Sequence, residues 1–201
     1  MAYAVVQRGA SKGVWNINSC EGSSFSISAQ VAVSMGFFED QEIDYDQYTV
    51  LKRASELQSA RTKALDLLAI RDHSRYGLST KLLLRGFSKD IVDEVLASLI
   101  EKGLLSDRRF AESFVRMRQN RNPEGPSVLE SRLMQNGVDR QIATEVLSEW
   151  FSDEDNVEKA LSKAARKIIR STDDKQKIIM KLRRKGFSKT QISEILNQTE
   201  A

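Results

Sequence analysis

Apolar residues in the last two thirds of the chain recur every three or four positions, which is the period of an amphipathic α-helix. Three segments show this period most clearly. Their apolar faces consist of Leu65, Leu68 and Ala69, of Phe110, Phe114 and Met117, and of Val157, Leu161, Ala164, Ala165 and Ile168. Each face predicts a helix that buries one side against its neighbours.

A short phrase follows each of these segments. Its three copies, KLLLRGFSKD, RLMQNGVDRQ and KLRRKGFSKT, align on Gly86, Gly137 and Gly186, which lie 51 and 49 residues apart. Further columns of the alignment hold Leu82, Leu133 and Leu182, then Glu94, Glu145 and Glu194, then Leu96, Leu147 and Leu196. Recurrence at a fixed period of this length is typical of repeat architectures.

The aligned glycines predict a corner between two helices. A glycine just past a helix end supplies the left-handed backbone that terminates many helices. The residues Ser88, Asp139 and Ser188 then stand where a side-chain oxygen caps the next helix. The apolar residues Phe87, Val138 and Phe187 precede these caps and are expected to pack on Val92, Ala143 and Ile192 as hydrophobic staples.

The resulting fold class is mainly α, with three tandem three-helix repeats that form an elongated array after a small N-terminal α/β segment. The predicted domains are a hairpin and helix segment at 1–60 and repeats at 61–104, 105–152 and 153–201. In the first of these, VWNINSCEGSSFSIS reads as two strands around Glu21-Gly22. SAQVAVSMGFF predicts a short helix ending at Gly36, EDQEIDYDQ an acidic connector, and DQYTVLKRASELQSARTKALDLL a helix running into the first repeat.

Composition agrees with a helical intracellular protein. Ten Gly and two Pro in 201 residues argue against an all-β chain with many tight turns. No apolar run reaches the roughly 18 residues that a membrane helix needs, and the N-terminus lacks the charged-then-apolar order of a signal peptide. Cys20 is the single cysteine, which excludes an intrachain disulfide. A reducing cytoplasm is therefore expected.

The chain offers little for catalysis. His73 is its one histidine, so the usual Cys/His metal sets cannot form. Ser74 follows His73 directly, and adjacent residues do not face each other on a helix. The glycines lie at helix ends, not at phosphate-cradling spacing. We expect no enzyme activity, no metal and no cofactor.

Charge is distributed unevenly along the chain. Residues 157–201 carry twelve Lys or Arg against five Asp or Glu, whereas the whole chain has a net charge of only +3. Lys177, Lys181 and Lys185 form a stripe at i, i+4 and i+8, with Arg184 beside it. This pattern favours contact with a phosphate or an acidic partner. The alternative is a polar outer face that keeps a terminal repeat soluble.

The last repeat also replaces a pair of leucines. Leu83-Leu84 of the first copy correspond to Arg183-Arg184 of the third. We interpret the leucines as covered by neighbouring helices and the arginines as free to face water or phosphate. A second arginine cluster lies on DRRFAESFVRMRQNR, where Glu112 offers a local ion-pair alternative for Arg116.

Several segments resemble the RecX family of bacterial recombination regulators. They are the run from ALDLLAIRDHS through YGL to KLLLRGF, then GLLSDRRFAESFVRMR, and then EGPSVLESRLMQNGV. The DRRFA segment is the most specific, and the likeness extends over about residues 25–198. Ser106 stands where the family usually has a second Asp, Val128 where a basic residue is common, and Arg132 near a usual Glu.

The resemblance implies a regulator that binds the RecA recombinase filament on single-stranded DNA and inhibits its ATP hydrolysis and strand exchange. The expected filament- or DNA-binding residues are Arg71, Lys81, Arg85, Arg108, Arg109, Arg116, Arg118, Arg121, Lys177, Lys181, Arg183, Arg184 and Lys185. Two alternatives remain open. One is a helical protein that binds nucleic acid without RecA, and the other is a scaffold for a different protein. A monomer is expected.

Overall fold

Helices dominate the part of the chain that the structure, a computed structural model, describes, namely residues 2–172 and 174–193. The strands are β1 (Ala4–Arg8), β2 (Val14–Ser19), β3 (Ser24–Ser28) and β4 (Glu42–Ile43), with α1 (Ala29–Ser34) before β4. The longer helices are α2 (Tyr45–Ile70), α3 (Arg75–Leu83), α4 (Lys89–Glu101), α5 (Asp107–Arg121), α6 (Pro126–Gln135), α7 (Arg140–Phe151), α8 (Glu154–Ile169) and α9 (Lys175–Arg184). Residues 189–193 are also helical.

The chain divides into two compact units. Unit 1 comprises Met1–Ala69 and Ser79–Glu101, and unit 2 comprises Ile70–Leu78 and Lys102–Ala201. The helix α2 runs without a break across residue 60, where the sequence placed the first domain boundary. Within the described residues, no helix is both long and apolar enough to cross a membrane.

A four-stranded antiparallel sheet begins unit 1, with strand order β3-β2-β1-β4. The predicted hairpin of β2 and β3 is confirmed, and Gly22 takes a φ of 84° in its turn. The strands β1 and β4 were not predicted. They are short, and β4 lies in the acidic connector, so that only its distant pairing with β1 makes it a strand.

The sheet buries one face by simple alternation of side chains. Val6 and Ile17 are paired across β1 and β2, and both are fully buried. They form a core with Ile27, Ala32 and Leu51, so the sheet packs against α1 and the start of α2. Further along α2 the structure differs from the sequence prediction. The buried residues are Ala60 and Ala64, whereas Leu65 and Ala69 are exposed and Leu68 is half-buried.

Unit 2 contains two helical cores. The first is formed by α5, α6 and α7 and includes Ala111, Val115, Leu129, Leu133, Val138, Ala143, Val146 and Leu147. The second is formed by α8, α9 and the residues that follow α9, and includes Leu161, Ala164, Ala165, Ile168, Ile178, Leu182, Phe187 and Ile192. The predicted apolar face of α8 is confirmed from Leu161 to Ile168. On α5, Ala111 and Val115 are the buried apolar residues, while Phe110 and Phe114 are half-buried against this core.

The predicted corners are present in all three copies. Gly86, Gly137 and Gly186 have φ values of 86°, 77° and 90°, which is the left-handed region that favours glycine. Asp139 caps α7 by accepting a hydrogen bond from the backbone N–H of Gln141. Ser188 and Gln191 bond reciprocally through side chain and backbone, as in a capping box. The third-copy residues Glu194 and Leu196 lie outside the described residues.

A hydrogen bond repeats between successive copies in unit 2. Ser74, just before α3, donates from its Oγ to the carbonyl of Asn136 at 2.6 Å. Gly125, just before α6, donates from its backbone N–H to the carbonyl of Lys185 at 2.7 Å. Asn136 and Lys185 both directly precede a corner glycine. The start of one repeat's second helix therefore bonds to the corner of the following repeat twice, once through a side-chain hydroxyl and once through a backbone N–H.

This contact leaves no room for a side chain at either corner. A Cβ on Gly137 would lie 2.2 Å from the Cβ of Tyr76, and one on Gly186 would lie 2.8 Å from Ser127 Oγ. On the opposite side, a Cβ on Gly125 would meet the carbonyl oxygen of Gly186 at 2.0 Å. The first corner differs, because a Cβ on Gly86 would meet nothing within 4 Å. Close approach is thus a property of the second and third corners.

The interpretation of Leu83-Leu84 as covered residues is wrong. Leu83 is 43% exposed and Leu84 is 81% exposed. Arg183 and Arg184 are exposed as expected. Both copies therefore present this pair outward, and the substitution exchanges an apolar surface for a cationic one.

We expect Gly137→Ala to destabilise unit 2 more than Gly103→Ala. Both glycines adopt a left-handed backbone, at φ 77° and 66°, so each substitution introduces strain of about 1–2 kcal/mol. Only the alanine at 137 also collides with Tyr76, since the space around Gly103 is open. The collision adds roughly 1–3 kcal/mol. Urea unfolding followed by circular dichroism measures the difference, and equal midpoints for the two variants would refute the packing role of Gly137.

Candidate functional site

Two of the predicted arginines at the start of α5 have partners inside the protein. Arg108 contacts Glu149 at 2.5 Å and Glu145 at 3.2 Å, which ties α5 to α7. It also pairs with Glu112, four residues further along α5. The alternative pairing of Glu112 with Arg116 was therefore wrong. Carboxylates surround Arg108, and its charge is largely balanced within the chain.

Arg109 binds the loop after α2 and the loop before α5 at the same time. Its Nε donates to Asp72 at 2.9 Å, and its terminal nitrogens donate to the carbonyls of Gly103 and Leu104. A hydrogen bond from Ser113, together with the bond and charge of Arg109, outweighs the effect of burial and lowers the pKa of Asp72. Nearby, the backbone N–H of Arg75 donates to the side chain of Asp107 at 2.7 Å. The DRRFA segment thus fixes the loop before α3.

A buried carboxylate binds two more arginines. Glu124 accepts from Arg118 at 2.6 Å and from Arg132 at 2.8 Å, and its side chain is only 5% exposed. Its backbone is held by the side-chain amide of Gln119. Burial alone raises the pKa of Glu124, but the two guanidinium groups outweigh burial and leave the pKa below its ordinary value of 4.5. This cluster joins the end of α5 to α6.

Lys185 also points into the protein. Its ammonium donates to Asn122 Oδ1 at 2.8 Å and to the carbonyl of Pro123 at 3.1 Å. Burial lowers the pKa of Lys185, the nearby charge of Glu124 opposes that effect, and the positive charges of Lys167, Arg118 and Arg132 add to it. Lys185 therefore supports the contact between the third corner and the segment before α6.

The stripe predicted on α9 is only partly free. Lys177 has an acidic partner, Asp174, at 3.3 Å, in contrast to the sequence interpretation. Lys181 is exposed and donates to Ser171 Oγ at 3.1 Å. Arg183 and Arg184 are exposed, and neither has an ion pair with any residue that the structure describes. The outward charge of α9 comes from Lys181, Arg183 and Arg184.

The remaining predicted residues lie apart from these clusters. Arg71 follows α2 and is exposed, and Arg116 and Arg121 are exposed on α5. Arg85 donates to the backbone carbonyl of Lys81 near the end of α3. Of the predicted residues in unit 2, those that stay exposed without an ion pair in the described range are Arg71, Arg116, Arg121, Lys181, Arg183 and Arg184.

A basic groove that the sequence analysis did not identify lies between α8 and the end of α5. Its volume is about 740 Å³. The cations that line it are Arg121, Lys159, Lys163, Arg166, Lys167 and Arg170. The other lining residues are Pro123, Ser162, Asp155 and Glu158. A signal was available in the sequence, because five of these cations recur at helical spacing on the face of α8 opposite its apolar residues. The sequence prediction for this helix rested on its apolar face and named none of these cations.

Two family models match the middle of the chain, and related proteins match most of its length. The family model of the first three-helix domain of RecX matches residues 60–99, and that of the second matches residues 106–147. Regulatory protein RecX of Chlorobium limicola is 34% identical over 142 residues, which cover 69% of this chain and 88% of that protein. Regulatory protein RecX of Bacillus licheniformis is 31% identical over 190 residues, covering 92% of this chain and 72% of that protein. The chain belongs to the RecX family.

Solved structures agree with the fold. A crystal structure of regulatory protein RecX superposes with a TM-score of 0.73 at 22% identity and covers 98% of this chain and 100% of that one. RecX from Lactobacillus salivarius has a TM-score of 0.62 at 29% identity and covers 73% of this chain and 98% of that one. The predictions of a mainly helical RecX fold and of a regulatory, non-enzymatic protein are confirmed by these relationships.

Replacement of the buried carboxylate should destabilise unit 2. In Glu124→Gln, the charges of Arg118 and Arg132 lose their shared partner, and because both arginines are partly exposed we expect a loss of about 2–3 kcal/mol. Because the pKa of Glu124 is lowered in the folded protein, this stabilisation is present above about pH 4.5 and is lost as the pH falls through the folded-state value. Urea unfolding between about pH 3 and pH 7 measures this pH-dependent stabilisation.

The matched control for this variant is Glu149→Gln. Glu149 also pairs with an arginine, but its side chain is 63% exposed and Arg108 keeps two other carboxylates. We expect a midpoint close to that of the unaltered protein. An equal loss in the two variants, or a Glu124→Gln variant with unchanged acid sensitivity, would contradict the assignment.

Proposed function

We propose that this protein regulates the RecA recombinase by binding its filament on single-stranded DNA and inhibiting ATP hydrolysis and strand exchange. The observation that carries the proposal is the similarity to regulatory proteins RecX over as much as 92% of the chain. Recombination and DNA repair would be the processes it modulates, and the bacterial cytoplasm would be its site of action.

The distribution of charge supports a partner that is a charged polymer. Arg108, Arg109 and Arg118 have carboxylate partners within unit 2. By contrast, the exposed cations of α9 and the groove beside α8 face outward. A surface of this kind attracts phosphates through counterion release and does not read base sequence.

A series of similar helical repeats also suits a polymeric protein partner. Contacts made by successive repeats to successive filament subunits add through effective concentration, even when each one is weak. Preference for one arrangement of the RecA subunits would shift the filament toward that arrangement. Inhibition then requires no chemistry by the protein itself.

The test is a titration of the protein into RecA, single-stranded DNA and ATP. We expect ATP hydrolysis and strand exchange to fall as the protein approaches the concentration of RecA, because the bound filament no longer cycles. Unchanged rates of both reactions at saturating protein would refute the proposal. RecA filaments and bare single-stranded DNA are compared in parallel at two salt concentrations, and tighter binding to bare DNA at both would favour a nucleic-acid-binding protein that acts without RecA.

A further inference from the structure

The basic groove beside α8 is built from two helices. The last residue of α5, Arg121, lies on one side with Pro123, and the cations of α8 lie on the other. Lys163 connects the sides, because its ammonium donates to the carbonyl of Asn120 at 2.5 Å. This bond links α8 to the end of α5 across the groove.

Its charges are unevenly balanced along its length. At the start of α8, Lys159 pairs with Asp155 at 3.4 Å, and Glu158 lies beside them. Further along, Arg121, Arg166, Lys167 and Arg170 have no ion pair with any residue in 2–172 or 174–193. The groove therefore carries four cations, three of them toward the end of α8, that no carboxylate of the described chain compensates.

Stabilisation of the two helix dipoles explains only part of this charge. Cations in the last turn of a helix stabilise its dipole, and this applies to Arg166 and Lys167. Arg121 stabilises the dipole of α5 in the same way, but it does not act on the dipole of α8. Both helices thus end with cations directed into the same groove. The positive field also continues beyond it, since Lys167 acts on Lys185 together with Arg118 and Arg132.

The chemistry of the lining indicates the class of ligand. None of the residues that line the groove is aromatic, which removes base stacking as a means of binding. Lys159, Lys163, Arg166 and Arg170 follow one another every three or four residues, or about 4.5–6 Å along the helix. A row of cations in an open groove matches a row of phosphates along a strand better than a single small anion.

We propose that the groove between α8 and the end of α5 binds the sugar-phosphate backbone of a single DNA strand, with Arg121, Arg166, Lys167 and Arg170 as the phosphate contacts. This deepens the proposed function and rests on it, because it names the part of the chain that takes the DNA of the filament. The outward cations of α9, which the sequence singled out, are then secondary for DNA binding.

The experiment compares two triple variants of equal charge. One is Arg166→Gln with Lys167→Gln and Arg170→Gln, and the other is Lys181→Gln with Arg183→Gln and Arg184→Gln. Binding of a fluorescein-labelled oligothymidylate is measured by anisotropy over a series of salt concentrations. For the α8 variant we expect affinity at low salt to fall at least tenfold and the slope of log K against log salt to become shallower by about 2, as for three lost contacts to a single strand.

The α9 variant is expected to bind within about twofold of the unaltered protein, because the cations of α9 are secondary for DNA binding. Unaltered affinity of the α8 variant, or a larger loss in the α9 variant, would overturn the assignment. A competition experiment tests for an acidic protein partner instead of DNA. If poly-glutamate displaces the labelled oligothymidylate as effectively as unlabelled DNA does, the assignment of the groove to DNA is also overturned. Circular dichroism of both variants confirms that the helices are retained.

RecA assays with the same proteins separate the two proposals. If the unaltered protein inhibits RecA but the α8 variant still binds the oligothymidylate normally, the groove assignment fails and the proposed function stands. If the α8 variant loses DNA binding while the unaltered protein leaves RecA unaffected, the groove assignment stands and the proposed function fails.

Discussion

The carbonyl group at the end of a helix needs a hydrogen-bond partner, and in unit 2 the preceding repeat supplies it. The last carbonyls of an α-helix have no backbone N–H donor within that helix. Asn136 receives a hydrogen bond from Ser74, and Lys185 receives one from Gly125. The backbones must come close for these bonds to form, which is why Gly137, Gly125 and Gly186 have no space for a Cβ.

The arginines near these contacts are used to hold them. Arg109 fixes the loop that leads to Ser74, and Arg118 with Arg132 holds Glu124, the residue before Gly125. Lys185 adds a further link by donating to Asn122 and Pro123. The DRRFA segment therefore performs a structural task. Its high charge reflects the polar loops that repeat packing brings together.

Cations that are not used in this way mark the outward surface. Arg121, Arg166, Lys167 and Arg170 face a groove, and Arg183 and Arg184 occupy the positions that Leu83 and Leu84 hold in the first copy. The same helical unit thus presents different chemistry in different copies. Leu84 is 81% exposed, so the first copy offers an apolar surface at the position where the third offers charge.

The sequence by itself determined the helices, their corners and the class of protein. Helix period, capping residues and the aligned glycines are local features, and they correctly placed α4 to α9 and the β2–β3 hairpin. The tertiary structure decided which cations are free. Arg109 and Arg116 look equivalent on α5, yet only Arg109 finds Asp72, which lies 37 residues earlier in the chain. The groove beside α8 and the strand β4 depend in the same way on segments distant in sequence. Local patterns fix the elements, whereas the partner of a charge is set by what folding brings within a few ångströms of it.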